Sequence, residues 1–230
     1  MDRIRLYHGS ADVVEKPRFG YSNRRNDYGE GFYCTEDRKL AGEWACSRGE
    51  DGIINSYSLD ISDLSILRLN SGKFSVLHWL QILTENRDLR PRTPVMAAGM
   101  EWLRKNFSLD VSGYDVIIGY RADDSYFSFT RAFLANEISL EQLSHAMALG
   151  GLGEQVVLRS RKAFDSIVFE ESETAKAAAY HVLFKKRDGK VRSDFSAICA
   201  EQALEGLFIR DLVRGEVKTD DPRIFRPVPR

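Results

Sequence analysis

Hydrophobic and polar positions alternate with period two at the start of the chain. Ile4, Leu6 and His8 fall on one side and Arg3, Arg5 and Tyr7 on the other, the signature of a strand that ends at His8. Residues 17–26 are rich in Gly, Asn, Arg and Ser and read as a loop. Gly29 and Gly31 bracket the entry to a short strand over 32–35. Glu36 and Asp37 then open a helix on which Leu40, Trp44 and Ala45 recur at helical spacing, with acidic residues at its positive end. Alternation returns over 53–60, and 66–69 is a further strand. Phe74, Leu77, Leu80 and Leu83 form a helical stripe that ends near Asn86 and Arg87, and beyond Pro91 and Pro94 a second helix covers 95–106.

Residues 114–120 are a compact apolar strand. Asp123 and Asp124 start a helix that carries Phe127, Arg131 and Leu134 and stops at Asn136. Ser139 and Gln142 have the spacing of a capping box, in which each side chain satisfies the other's backbone donor. Gly150, Gly151 and Gly153 make a hinge before a strand over 155–159, and 164–170 reads as the last strand. Beyond it, 174–186 and 195–213 read as helices joined by a turn at Asp188 and Gly189, followed by a proline-bearing tail over 221–230. The pattern predicts an α+β protein in two parts: a mixed-sheet unit over residues 1–170 and a helical C-terminal extension over 171–230.

Composition narrows the function. With 33 basic against 34 acidic residues the net charge is −1, so no global field draws the chain to nucleic acid or to an anionic membrane. Lys185, Lys186, Arg187, Lys190 and Arg192 form one local basic cluster, read as a solvated helix end or a partner contact. The three cysteines, Cys34, Cys46 and Cys199, have no CxxC or Cys/His spacing, which argues against a disulfide framework and a zinc site and for a reduced compartment. The first strand begins at once, and no apolar run approaches the roughly 20 residues a bilayer requires. A cytoplasmic protein without a membrane partner is the expectation, with signal-independent export left open. Gly29-Glu30-Gly31 is only GxG, and no GxxxxGK[ST], GxSxG or HExxH string occurs.

The chemistry concentrates in Leu6-Tyr7-His8-Gly9-Ser10 and in Asp27-Tyr28-Gly29-Glu30-Gly31-Phe32-Tyr33-Cys34-Thr35, with Ala41 and Trp44 behind. A histidine, a glycine with a reachable backbone, and two aromatic faces suit a flat amide-bearing ring on a ribose, as at the nicotinamide end of NAD. These strings resemble the ADP-ribosyltransferase fold of the diphtheria-toxin and poly-ADP-ribose-polymerase type, marked by a His-Tyr-Glu triad. More narrowly, the chain resembles the bacterial DUF3990 family of ADP-ribosyltransferase-like proteins. That resemblance adds His78-Trp79-Leu80 with Asn86-Arg87, Tyr114-Asp115 to Gly119, Ala122-Asp123-Asp124 and Gln155-Val156-Val157, and it covers roughly residues 1–170.

The resemblance implies an ADP-ribosyltransferase-like split β-sheet core and an NAD-dependent mono-ADP-ribosyltransferase acting on a macromolecule, protein or nucleic acid. Such enzymes occur as bacterial toxins or in toxin–antitoxin pairs, so an antitoxin partner is implied too. NAD is then a substrate and no metal is needed. His8 would hold the 2′-hydroxyl of the nicotinamide ribose, with Gly9, Ser10, Phe32 and Thr35 around the ring. Tyr33 would stack on it, Trp44 would replace a second stacking tyrosine, and Ala41 stands where a serine often binds the carboxamide. Gln155 falls at the triad glutamate and offers a hydrogen bond without a charge, with Glu154 beside it on the opposite strand face. Asp123 or Asp124 would supply a carboxylate or merely cap the following helix. Arg87 would meet the pyrophosphate or serve as a C-terminal helix cation. NAD glycohydrolase activity and a non-catalytic NAD-binding or protein-interaction module remain the alternatives.

Overall fold

The computed structural model describes residues 2–121, 124–151, 153–201, 206–226 and 228. Strands β1 (Arg3–Ser10), β3 (Gly52–Asp60) and β7 (Ile167–Ala175) form an antiparallel sheet in the order β1-β3-β7. Strands β2 (Phe32–Cys34), β6 (Glu154–Leu158), β5 (Val116–Tyr120) and β4 (Ile66–Arg68) form a second sheet in that order. Only β4 and β5 run parallel, so the architecture is mixed α+β with its sheet in two parts.

Strand alternation sorts the core into two layers. Val116, Ile118, Val156 and Leu158 project to one side of the second sheet and meet Leu6 and Leu59 of the first, with Cys34 between them. Ile117 and Val157 project to the other side, under a helical layer. That layer contains α2 (Val76–Asn86), α3 (Pro94–Asn106), α4 (Asp124–Leu134) and α5 (Leu140–Ala148). Local signals set its ends. Pro94 opens α3 behind Thr93, Asn136 beyond α4 takes a left-handed φ of 66°, and Ser139 and Gln142 exchange backbone bonds of 3.2 and 2.9 Å.

One helix stands apart from that layer. Helix α1 (Arg38–Ala45) starts at Asp37, whose carboxylate accepts from the amides of Lys39 and Leu40, and it lies against β1 and β3. The approach is so close that a Cβ on Gly9 would sit 2.0 Å from the Ala41 carbonyl oxygen. Gly9 therefore admits the close approach of a helix on its Cβ side.

Two further expectations are corrected. Phe164 lies in a short helix, α6 (Arg161–Ser166), capped by Ser160, and the last strand runs over Ile167–Ala175 instead of 164–170. Its polar sequence suits a sheet edge, where Glu170 pairs with Arg5 and Glu173 with Arg38. Residue 171 thus falls inside β7, and the chain continues directly into α7 (Ala177–Ala200). That helix runs unbroken through Gly189, against the expected turn. A helical glycine costs about 1 kcal/mol relative to alanine, offset here by Arg192–Asp188 and Lys190–Asp194 pairs one turn apart and by buried Val191. These pairs engage Lys190 and Arg192 of the basic cluster. Helix α7 clamps α1: the Tyr180 ring fills the space over Gly42, and Arg187 pairs with Glu43 at 2.6 Å, with side-chain exposures of only 13% and 3%. A short α8 (Ile209–Val213) seals the helical layer against α3. No helix among the described residues is long and apolar enough to cross a membrane.

Gly9→Ala should lower the unfolding free energy by about 3 kcal/mol, because the methyl group meets backbone that cannot move aside; an unchanged urea midpoint would refute the close approach. A chain ended at residue 170 loses the Glu171–Ala175 pairing and strips Arg187 from buried Glu43. Circular dichroism of that fragment should show no cooperative unfolding transition.

Candidate functional site

Beside their shared apolar core, the two sheets are joined among the described residues by one backbone bridge, where Tyr7 and Thr35 exchange hydrogen bonds of 2.8 and 2.9 Å. One residue further along β1, the His8 Nδ1 lies 2.8 Å from the Tyr33 carbonyl oxygen. A carbonyl only accepts, so Nδ1 carries the proton and Nε2 is left as an acceptor. Burial pushes the His8 pKa below its usual range, partly opposed by that bond, so the ring is neutral at pH 7. Beside it opens a cleft of about 340 Å³. His8, Tyr33, Trp44, Arg87 and Gln155, five residues singled out in the sequence, line it together.

Four more lining residues carry no role in the sequence analysis: Ser22, Asn26, Asp27 and Arg121. Asp27 is the centre of the group, only 6% exposed. Its Oδ1 lies 3.2 Å from the Arg87 Nε, and its Oδ2 accepts from the Gln155 Nε2 at 3.1 Å. Arg87 therefore answers a carboxylate through one edge of its guanidinium, leaving the other directed away from that bond. Arg87 caps the end of α2 and Gln155 sits on β6, and the side chains of both are gathered by a residue on the loop before β2.

The loop is pinned from three directions. Tyr28, 1% exposed, donates its hydroxyl to the Tyr120 carbonyl at 2.5 Å, in space that Gly119 leaves open. The Tyr33 hydroxyl donates to the Gly29 carbonyl at 2.6 Å and accepts from the Tyr28 amide at 3.1 Å. Asn86 donates to the Asp27 carbonyl at 3.4 Å. Burial drives the Tyr33 pKa far above the ordinary phenol range, and with both hydroxyl roles taken the residue offers its ring alone to a ligand. The Trp44 ring is already covered: the Arg121 guanidinium carbon sits 3.7 Å from its centroid. A ligand stacked on that face of Trp44 requires Arg121 to move or to take part.

The other expected site residues lie elsewhere. The Ser10 hydroxyl donates to the Asp12 carbonyl and accepts from Asn55, fixing the end of β1. Phe32 packs edge-on to Tyr57 in the intersheet core and backs the His8 ring, 4.5 Å between centroids. Thr35 is buried and accepts from the Asp37 amide. Ala41 is sealed beneath Gly9. Glu154 points away from Gln155 and bonds Asn70 at 2.8 Å, on the wall of a separate cavity. Asp123 lies outside the described residues, and Asp124 is described only as the backbone start of α4. Among the described lining residues, the carboxylate at Gln155 is that of Asp27.

A neutral histidine acceptor, an amide, one carboxylate and two guanidiniums thus face one another between two halves of a mixed sheet. This is the arrangement of a small-ligand cleft suited to hydroxyls and anionic groups. The model of the family described as "Protein of unknown function (DUF3990)" matches residues 4–169, and the chain belongs to that family. No curated protein and no solved structure matches the chain.

The neutral His8 has a pH signature. Its folded pKa lies below the unfolded value of 6.5, so its contribution to stability is complete above pH 6.5 and is lost as pH falls through the depressed folded value. His78, also depressed by burial, adds a slope of the same sign. Thermal unfolding between pH 8 and 5 should therefore fall more steeply for the wild type than for His8→Gln; parallel curves would contradict a neutral, buried His8.

Proposed function

We propose that the cleft binds the nicotinamide-ribose end of NAD and that the protein transfers ADP-ribose to a macromolecular acceptor. The observation that carries this reading is the meeting of His8, Tyr33 and Gln155, far apart in sequence, at the point where a two-part mixed sheet opens. An ADP-ribosyltransferase-like core is the fold this reading takes the two sheets to be. The His8 Nε2 accepts from a ribose hydroxyl, the Tyr33 ring packs on nicotinamide, and Arg87 and Arg121 meet the pyrophosphate. At about 340 Å³ the cleft is near the lower end of the roughly 300–1,000 Å³ of ligand pockets, which suits one end of a dinucleotide.

In the dissociative step, the bond from ribose C1′ to the nicotinamide nitrogen breaks and nicotinamide leaves with the electron pair. The acceptor nucleophile then attacks C1′ from the opposite face and loses its proton. Positioning and electrostatics carry such a reaction. A protein or nucleic acid acceptor and a neutralising antitoxin protein complete the proposal. One observation favours a second reading, NAD binding with hydrolysis or without turnover: the Asp27 carboxylate is shared between Arg87 and Gln155 rather than free in the cleft.

Incubation of the pure protein with adenylate-labelled NAD and a cell lysate distinguishes these readings. Transfer predicts label on a macromolecule, with nicotinamide released in step. His8→Ala should weaken NAD binding about tenfold, the loss of one hydrogen bond in a desolvated site, without loss of the folded state. Nicotinamide release without labelling would make water the acceptor, and no NAD binding at all would end the proposal.

A further inference from the structure

We infer that Asp27 is the positioning residue of this cleft: it decides which end of the Gln155 amide a ligand meets. The inference rests on the reading of the cleft as an NAD site. Asp27 is ion-paired with Arg87, and a carboxylate only accepts, so the Gln155 atom 3.1 Å from Asp27 Oδ2 must be the amide nitrogen. The amide is then not free to turn over, and its Oε1, which has no partner among the described residues, is the atom left for the cleft. Gln155 is 4% exposed, and burial strengthens the preference by excluding water as a substitute partner.

The consequence is chemical. An amide oxygen aimed at the ribose accepts from a hydroxyl and places the negative end of a dipole near a developing cation. The amide NH₂ in its place can still bond a hydroxyl but sets the positive end there. Binding changes little between the two orientations, and bond breaking changes a great deal. Asp27 acts on Arg87 in the same way, holding its Nε at 3.2 Å and so fixing the direction of the rest of the guanidinium. A glutamine thus does part of the work of a carboxylate because a true carboxylate stands behind it.

The reasoning fixes what each substitution does. In Asp27→Asn, the remaining carbonyl oxygen stays with Arg87, the stronger donor, so the new NH₂ faces Gln155. Gln155 turns its oxygen toward that NH₂ and presents its own NH₂ to the cleft. In Gln155→Glu two carboxylates meet and share a proton. In the double variant the introduced asparagine NH₂ donates to the introduced carboxylate, whose second oxygen faces the ligand.

The test measures kcat and KM for nicotinamide release from NAD in the full chain. Asp27→Asn should lower kcat on the order of tenfold to a hundredfold with KM within about threefold. Asp27→Asn with Gln155→Glu should recover kcat at least to the wild-type value, and Gln155→Glu alone should not. Equal kcat in Asp27→Asn and wild type, or a double variant no better than either single one, overturns the inference. A second readout needs no ligand. In ¹⁵N-edited spectra, the Gln155 side-chain amide, identified by its absence in Gln155→Met, should shift on Asp27→Asn while backbone signals of β5 and β6 hold. An amide signal that ignores Asp27→Asn overturns the inference. If the wild type never releases nicotinamide, the transfer reading fails separately and the amide signal decides the orientation.

Discussion

A carboxylate almost out of reach of water must be answered by donors, or it would be protonated or expelled. Asp27 is such a group, and two of its partners come from different parts of the fold: Arg87 from the end of α2 and Gln155 from β6. The charge therefore ties the helical layer to the second sheet through a loop that has little regular structure of its own. Tyr28 and Tyr33 hold that loop by their hydroxyls, so the carboxylate has no low-cost way to swing out. Remove the anion and two polar groups lose their partner at once, which is why the cleft is better regarded as one network than as a set of separate side chains.

The same logic recurs behind the cleft. Glu43, on the helix that carries Trp44, is buried and answered by Arg187 on α7. Gly42 leaves room for Tyr180 beside it, and Gly9 leaves room for α1 on β1. The C-terminal segment is therefore the backing of the wall that Trp44 forms, although it contributes no described residue to the cleft itself. In its basic cluster, Arg187 pairs with Glu43 on α1, and Lys190 and Arg192 pair with Asp194 and Asp188 within α7.

What is legible in the sequence is local. Period-two alternation locates β1 and β3, a compact apolar run locates β5, and the caps at Asp37, Pro94 and Ser139 set helix starts within a residue or two. His8, Tyr33, Trp44, Arg87 and Gln155 are singled out through the strings that carry the family resemblance, and they do line one cleft. Asp27 is visible in the same string as Tyr33, yet its role depends on a partner 128 positions away, which no periodicity reports. Arg121 follows a strand end without any signal, and its position over Trp44 is a tertiary fact. Gly9 marks a close approach, and on its Cβ side the neighbour is helix α1, which the glycine alone does not announce. At Gly189 propensity alone argues for a break in α7, and packing with paired charges outweighs it.

The most direct test of the NAD cleft is a structure of the full chain crystallised with NAD. Nicotinamide should lie against the Tyr33 ring, with ribose hydroxyls in hydrogen-bond range of the His8 Nε2 and the Gln155 Oε1 and the pyrophosphate toward Arg87. NAD bound instead in the separate cavity lined by Asn70, Glu154 and Arg226, or a cleft that stays empty at saturating NAD, would contradict the account.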